Sequence, residues 1–248
     1  MLAARTAVLL FVRAPALEAK DVGLPHQARV DLFRSMLSHT LGVVRSARVP
    51  LDLVIAHDGL ESAPSAALSF EQRGSSFGER LLHAVETTRA AGYDRVVMIG
   101  ADTPELCARD IEQAVSAGEK EAVVGPSADG GFYLLSVPTA SATQVIADLP
   151  WRDASLTTHL LESLGRSGLR SQLLVARRDV DKAEDVVALK NLLEDLCRSL
   201  PECDSLSIAH RGCLILQSRQ VSPGCRAFLP RVRRNAVIEW ARETAPSR

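Results

Sequence analysis

The chain carries no surplus of either charge: 29 basic side chains stand against 30 acidic ones, a net charge of −1. That balance removes the electrostatic footprint of a nucleic-acid binder. No run approaches the roughly 20 apolar residues that a membrane helix needs. The apolar start, Ala7 to Val12, is followed at once by Arg13 and Pro15. It reads as a buried strand rather than a secretion signal, so a cytoplasmic protein is expected. Cysteine is sparse, five residues with no CxxC pair, which argues for reduced thiols and against a zinc site, although four of the five fall after residue 196 near His210. There is no GxSxG, no P-loop, no internal repeat and no low-complexity tract, and six scattered histidines give no nucleophile arrangement.

What is present is an alternation of short apolar runs with amphipathic stretches. Strands are expected at residues 7–12, 51–57, 95–99, 122–124, 132–137 and 169–175. Helices are expected at 24–45, 77–91, 104–116, 155–164 and 182–196, with Val30, Phe33, Leu37, Leu41 and Val44 as the inward stripe of the first. This order predicts an α/β three-layer sandwich with a mostly parallel sheet, whose ligands sit outside the carboxyl ends of the strands. A domain over 1–200 and a C-terminal extension over 201–248, with a final helix at 234–243, complete the expected organisation.

Loops after strands are therefore where chemistry is sought. Gly100-Ala101-Asp102-Thr103-Pro104 follows an apolar strand. Thr103 is expected to cap the next helix and Pro104 to open it, leaving Asp102 free as a hard oxygen ligand for Mg²⁺ or Mn²⁺. Asp129-Gly130-Gly131 follows another short strand; its glycines let backbone approach a ligand, or form a plain turn. Asp181 opens the last helix with Glu184 three residues on, so it is either a cap or a second metal carboxylate. Arg13 and Lys20 lie in the loop after the first strand. Arg80 stands in the first turns of a helix, where the dipole disfavours it, which suggests that it faces a ligand.

Taken in order, LLFVRAP, QRGSSFGERL, GADTP, GPSADGGFYL, Pro150-Trp151 and DVDKAEDV resemble a bacterial family of glycosyltransferase-like proteins associated with radical-SAM and selenium-domain gene clusters. That family is similar to 2-phospho-lactate guanylyltransferases and, more distantly, to molybdenum-cofactor guanylyltransferases. The resemblance spans about residues 7–190. It implies the glycosyltransferase-A type nucleotide-diphospho-sugar fold, a nucleotide or nucleotide-sugar as partner and a small-molecule acceptor, and it leaves a homodimer open. It implies catalytic roles for Asp102 and Asp129, a metal between Asp102 and Asp181, and a nucleotide held by Arg13, Lys20, Arg80, Gly100, Gly130 and Gly131. Glycosyl transfer from a nucleoside-diphospho-sugar is the expected reaction. The alternatives are nucleotidyl transfer from a triphosphate to a phosphorylated small molecule, and a non-catalytic binding protein. In one loop the chain departs from the family: a Pro-Gly turn and a Lys-Thr-Arg cluster are replaced by Ala16-Leu17-Glu18-Ala19-Lys20-Asp21-Val22-Gly23. An acid at Asp21 is expected to repel a triphosphate and weaken that chemistry.

Overall fold

A computed structural model describes residues 4–60, 64–151 and 153–198, with side chains to residue 193. The expected C-terminal helix and the cysteines at 203, 213 and 225 lie outside the described residues. So does the boundary of the C-terminal extension.

The apolar runs form the strands β1 (Thr6–Arg13), β2 (Asp52–Asp58), β4 (Arg95–Ile99), β5 (Glu121–Pro126), β6 (Phe132–Pro138) and β7 (Arg170–Leu173). A short strand not expected from the sequence, β3 (Leu68–Glu71), adds the edge. The sheet order is β3-β2-β1-β4-β6-β5-β7. All pairings are parallel except those of β6, which runs antiparallel to both β4 and β5. The helices are α1 (His26–Ser46), α2 (Phe77–Ala90), α3 (Ala108–Val115), α4 (Thr139–Ile146), α5 (Leu156–Arg166) and α6 (Ala183–Arg198).

Central strands are apolar on both faces because helices cover both. Ala7 and Leu9 of β1 face a layer built by Leu81, Ala84 and Val85 of α2 with residues of α4 and α5. Val8, Leu10 and Val12, which alternate with them, pack under Leu37, Leu41 and Val44 of α1 and Ile111 and Ala114 of α3. The architecture is a three-layer α/β sandwich around a mostly parallel sheet. Among the described residues no helix is long and apolar enough to cross a membrane.

One expected helix start is corrected, and one of the two readings of Asp181 falls away. The helix after β4 begins at Ala108, not at Pro104, and Thr103 does not cap it. Instead Thr103 accepts the Leu106 amide in a turn, and the Asp110 carboxylate takes the amide of Cys107, the residue before the helix. Likewise Asp181 does not cap α6. Asp185 reaches back to the amides of Asp181 and Lys182, both at 3.1 Å, which leaves the Asp181 side chain free for other contacts.

The chain runs outward from β1 through β2 to β3, then returns to β4 on the other side of β1. The carboxyl ends of β1 and β4 therefore flank the switch point of the sheet, where such folds leave a crevice. Arg13 ends β1 and Gly100 follows β4.

Candidate functional site

Three loops converge on this crevice. The first runs from Arg13 through a short 3-10 turn at Pro15–Leu17 to Lys20. The second is the segment Gly100-Ala101-Asp102. The third runs from Arg177 to Lys182 and is tied to the second by the Val180 amide, which donates to the Asp102 carbonyl at 2.9 Å. The loop between β5 and β6 joins them: the Ala128 amide donates to the Arg177 carbonyl at 2.9 Å, and the Ser127 hydroxyl donates to Asp179 at 2.6 Å.

Lys20 stands where the three loops meet. Its ammonium donates to Asp102 Oδ2 at 2.5 Å, contacts Asp181 Oδ1 as an ion pair, and lies 3.4 Å from the Val180 carbonyl. Burial alone would lower the pKa of this ammonium, but the charges and hydrogen bonds of Asp102 and Asp181 outweigh it, so the net shift is upward. Asp102 and Asp181, the expected metal pair, are therefore brought together, with a lysine between them. Three carboxylates do come within reach of one ion: Asp129, Asp179 and Asp181 each offer an oxygen within 4.8 Å of the others. Asp102 is outside that trio and Asp179 is inside it.

Asp179 was not among the candidate residues. Its signal is the spacing Asp179-Val180-Asp181: in extended backbone, alternate side chains point the same way. Val180, pointing the other way, is buried with Val22, Phe33, Met36 and Val186. Asp179 is half-buried. That burial raises its carboxyl pKa, the Ser127 hydrogen bond opposes the rise, and the charges of Asp181, Asp102 and Asp129 add to it, leaving it at about 6. Three clustered carboxylates, one of them reluctant to ionise, form a hard-oxygen set suited to Mg²⁺ or Mn²⁺.

Two hollows open on either side of Asp102, Gly100, Phe11 and Phe77, which line both. The first, of 470 Å³, is lined by Arg13, Lys20 and Arg80 together with Glu18 and Gln72. Its cations are partly matched: Asp58 pairs with Arg13 at 3.2 Å and lies 3.6 Å from Arg80, whose buried Nε has no hydrogen-bond partner among the described residues, and Lys20 is held by Asp102 and Asp181. Asp21, expected to intrude on phosphate, does not line this hollow. It is exposed, and its carboxylate accepts the Gly23 amide at 3.3 Å. The second hollow, of 440 Å³, is walled by Phe11, Phe77, Phe132, Tyr133 and Trp151, with Asp102, Asp129, Asp153 and Asp179 at its polar edge.

The glycines named in the sequence serve this geometry differently. A Cβ at Gly100 would stand 2.6 Å from Asp102 Oδ1, so a side chain there would push the carboxylate away. Gly130 has φ +96°, and a Cβ there would collide with the Ala154 carbonyl. Gly131 gives its amide to Asp129 Oδ1 at 3.0 Å, and its carbonyl accepts the Thr157 hydroxyl of α5. Gly130 and Gly131 thus fix the Asp129 turn against the start of α5. Trp151, Phe77 and Asp153 had no assigned role in the sequence, although Trp151 belongs to a quoted motif. Trp151 packs on Phe77 with ring centroids 5.0 Å apart.

The third loop is anchored from beneath. Arg177 lies half-buried over the Tyr133 ring, and its guanidinium donates to Asp110 Oδ1 at 3.0 Å and lies 2.8 Å from Oδ2. Burial opposes the charged form of Arg177, but Asp110 outweighs that and raises its pKa.

Residues 41–153 match the model of a family described as "Uncharacterized protein conserved in bacteria (DUF2064)". Among curated proteins none matches. Among solved structures, a "putative nucleotide-diphospho-sugar transferase" from Desulfovibrio desulfuricans G20 is 23% identical, covers 88% of this chain and 100% of its own, and superposes with a TM-score of 0.70. The 4-diphosphocytidyl-2C-methyl-D-erythritolsynthase of Anaerococcus prevotii DSM 20548 is 10% identical over 77% of this chain and 96% of its own, with a TM-score of 0.52. At these identities the likeness is one of fold: this chain shares the α/β sandwich of those two structures.

Proposed function

We propose that the chain is a metal-dependent transferase that takes a nucleotide-activated donor in the basic hollow and a small-molecule acceptor in the aromatic one. One observation carries the reading. The cations lining the donor hollow are few and largely committed, both arginines to the single Asp58 and Lys20 to Asp102 and Asp181, while the trio Asp129, Asp179 and Asp181 beside it lacks a full counter-charge. Linked phosphates carry two to four negative charges, which this hollow cannot balance alone. Asp129, Asp179 and Asp181 would hold a divalent ion, whose charge would offset that of the phosphates. When bound, Mg²⁺ or Mn²⁺ would stabilise charge on the leaving phosphate. Arg13, Arg80 and Lys20 orient the phosphates, Asp102 stands at the divide between donor and acceptor, and Asp129 accepts the proton of the attacking hydroxyl. The wall of Phe77, Phe132 and Trp151 excludes water from that step.

Two chemistries share such a site. Nucleotidyl transfer with release of pyrophosphate is supported by the likeness to the erythritol synthase, whose printed name denotes a cytidyl product. Glycosyl transfer with release of a nucleoside diphosphate is supported by the small cationic complement, which suits two phosphates better than three, and by the name of the Desulfovibrio structure. Calorimetric titration with nucleoside triphosphates and diphospho-sugars, with and without Mn²⁺, tests the common reading. Metal-dependent binding is expected, and its loss in Asp179→Asn. Released pyrophosphate or nucleoside diphosphate then separates the two chemistries. No nucleotide binding at millimolar concentration would leave a non-catalytic protein on a transferase fold.

A further inference from the structure

Lys20 does more than line the donor hollow. Its ammonium is already seated on Asp181, one of the three carboxylates within reach of a single ion, and on Asp102 at the divide between the hollows. The acidic cluster therefore holds a cation of its own. We infer that Lys20 is an internal counter-ion which a divalent metal displaces from Asp181, and that the displaced ammonium then meets the donor's phosphates. This rests on the metal-dependent reading given above.

The geometry carries each step. A metal liganded by Asp181 would put a second positive centre on a carboxylate that Lys20 occupies, and two cations at that range repel strongly in a partly buried site. The ion has two further carboxylates, Asp129 and Asp179, to hold it. Lys20 reaches the two carboxylates on a flexible four-carbon stem, with its ammonium 5.8 Å from the centroid of the Phe33 ring. It also has somewhere to go, because it lines the hollow that contains Arg13 and Arg80. Before the ion arrives, Lys20 offsets the repulsion among Asp102, Asp179 and Asp181. After it arrives, the same charge is free for phosphate. Ion loading would thus raise donor affinity through Lys20 as well as through direct coordination.

Mn²⁺ affinity without nucleotide, measured by calorimetry on wild type and Lys20→Met, tests this. Removing the competitor should tighten Mn²⁺ binding about tenfold or more. The gain in nucleoside-diphosphate affinity on adding Mn²⁺ should be smaller in the variant than in wild type. Equal or weaker Mn²⁺ binding by Lys20→Met overturns the competition while leaving the metal site in place. Binding by neither protein overturns both the competition and the metal reading. A measurement on wild type guards against a variant that fails to fold: the ¹⁵N resonance of the Lys20 ammonium should shift or vanish on saturation with Mg²⁺. An unchanged resonance at saturation refutes displacement.

Discussion

The Asp110–Arg177 pair offers the sharpest perturbation, because its loss strands a charge beneath the site. The Asp110 side chain is 7% exposed and that of Arg177 14%. Asp110→Ala removes three contacts: the two carboxylate approaches of Arg177 at 2.8 and 3.0 Å, and the Cys107 amide bond at 3.1 Å. Losing the amide partner at a helix start costs about 1 kcal/mol. Leaving a buried guanidinium unpaired costs about 3 kcal/mol, at the low end for such a site because Arg177 keeps some access to water. The sum is about 4 kcal/mol, read as a fall in the urea midpoint with an unchanged slope. Arg177→Met together with Asp110→Ala should cost less than Asp110→Ala alone, since no charge is then stranded. The defect should also reach the site, because the Arg177 carbonyl holds the Ala128 amide and Asp179 lies two residues on. Mn²⁺ affinity should fall in parallel with stability. A loss below about 1 kcal/mol, or a double variant that costs more than Asp110→Ala alone, refutes the idea that Asp110 holds a charge that would otherwise be stranded.

Asp179→Asn should stabilise the metal-free protein by about 1–2 kcal/mol near neutral pH while abolishing tight Mn²⁺ binding. The folded carboxyl, at about 6, lies above its ordinary value of 3.8, so ionising it opposes folding above pH 6. That penalty fades as pH falls from about 6 towards 3.8, so thermal melts of wild type and variant should converge over that interval. A variant less stable than wild type at pH 8 contradicts the assignment. Gly130→Ala should cost about 2 kcal/mol or more, from its φ of +96° and the collision with the Ala154 carbonyl, and should detach the Asp129 turn from α5. Denaturant unfolding checks the first effect and Mn²⁺ affinity the second; a neutral substitution would mean that the turn is not held as described.

The parts of the fold that could be read in the sequence are those whose burial is uniform. β1, β2 and β4 are apolar runs because helices cover both faces, and the sequence shows it directly. β3 was missed because Leu68–Glu71 is an edge strand with alternating half-buried and exposed positions and little to mark it. α4 was missed because Thr139–Ile146 is rich in Thr, Ser and Ala, whose helical state here is decided by docking Ala142, Val145 and Ile146 on the sheet. At the site, Asp102 was legible because a strand's end predicts where its loop goes. The partners of each carboxylate were not: Lys20 reaches Asp102 across 82 residues, and Arg177 reaches Asp110 across 67. The expected Thr103 cap and the cap reading of Asp181 fail for one reason. Thr103 and Asp181 sit at plausible cap positions, but an acid inside each helix, Asp110 reaching back to the Cys107 amide and Asp185 to those of Asp181 and Lys182, supplies the side-chain acceptor.

The altered first loop changes meaning once its geometry is known. As sequence, Lys20-Asp21 is a lysine compromised by a neighbouring acid. In the fold the two side chains have separate tasks: Asp21 closes a turn on the Gly23 amide outside the donor hollow, and Lys20 enters it. The repulsion expected between Asp21 and phosphate therefore has no geometry to act through. The real deficit is that one loop cation remains, and it is committed to Asp102 and Asp181. A donor arriving without metal would have to compete with two carboxylates for that lysine, at a cost comparable to breaking a half-buried ion pair. On the proposed reading, a divalent ion held by Asp129, Asp179 and Asp181 would remove that competition and add positive charge for the phosphates. A site with this arrangement should bind its donor poorly in chelator and well in Mn²⁺, and the contrast should be larger than in a site whose loop carries several uncommitted cations.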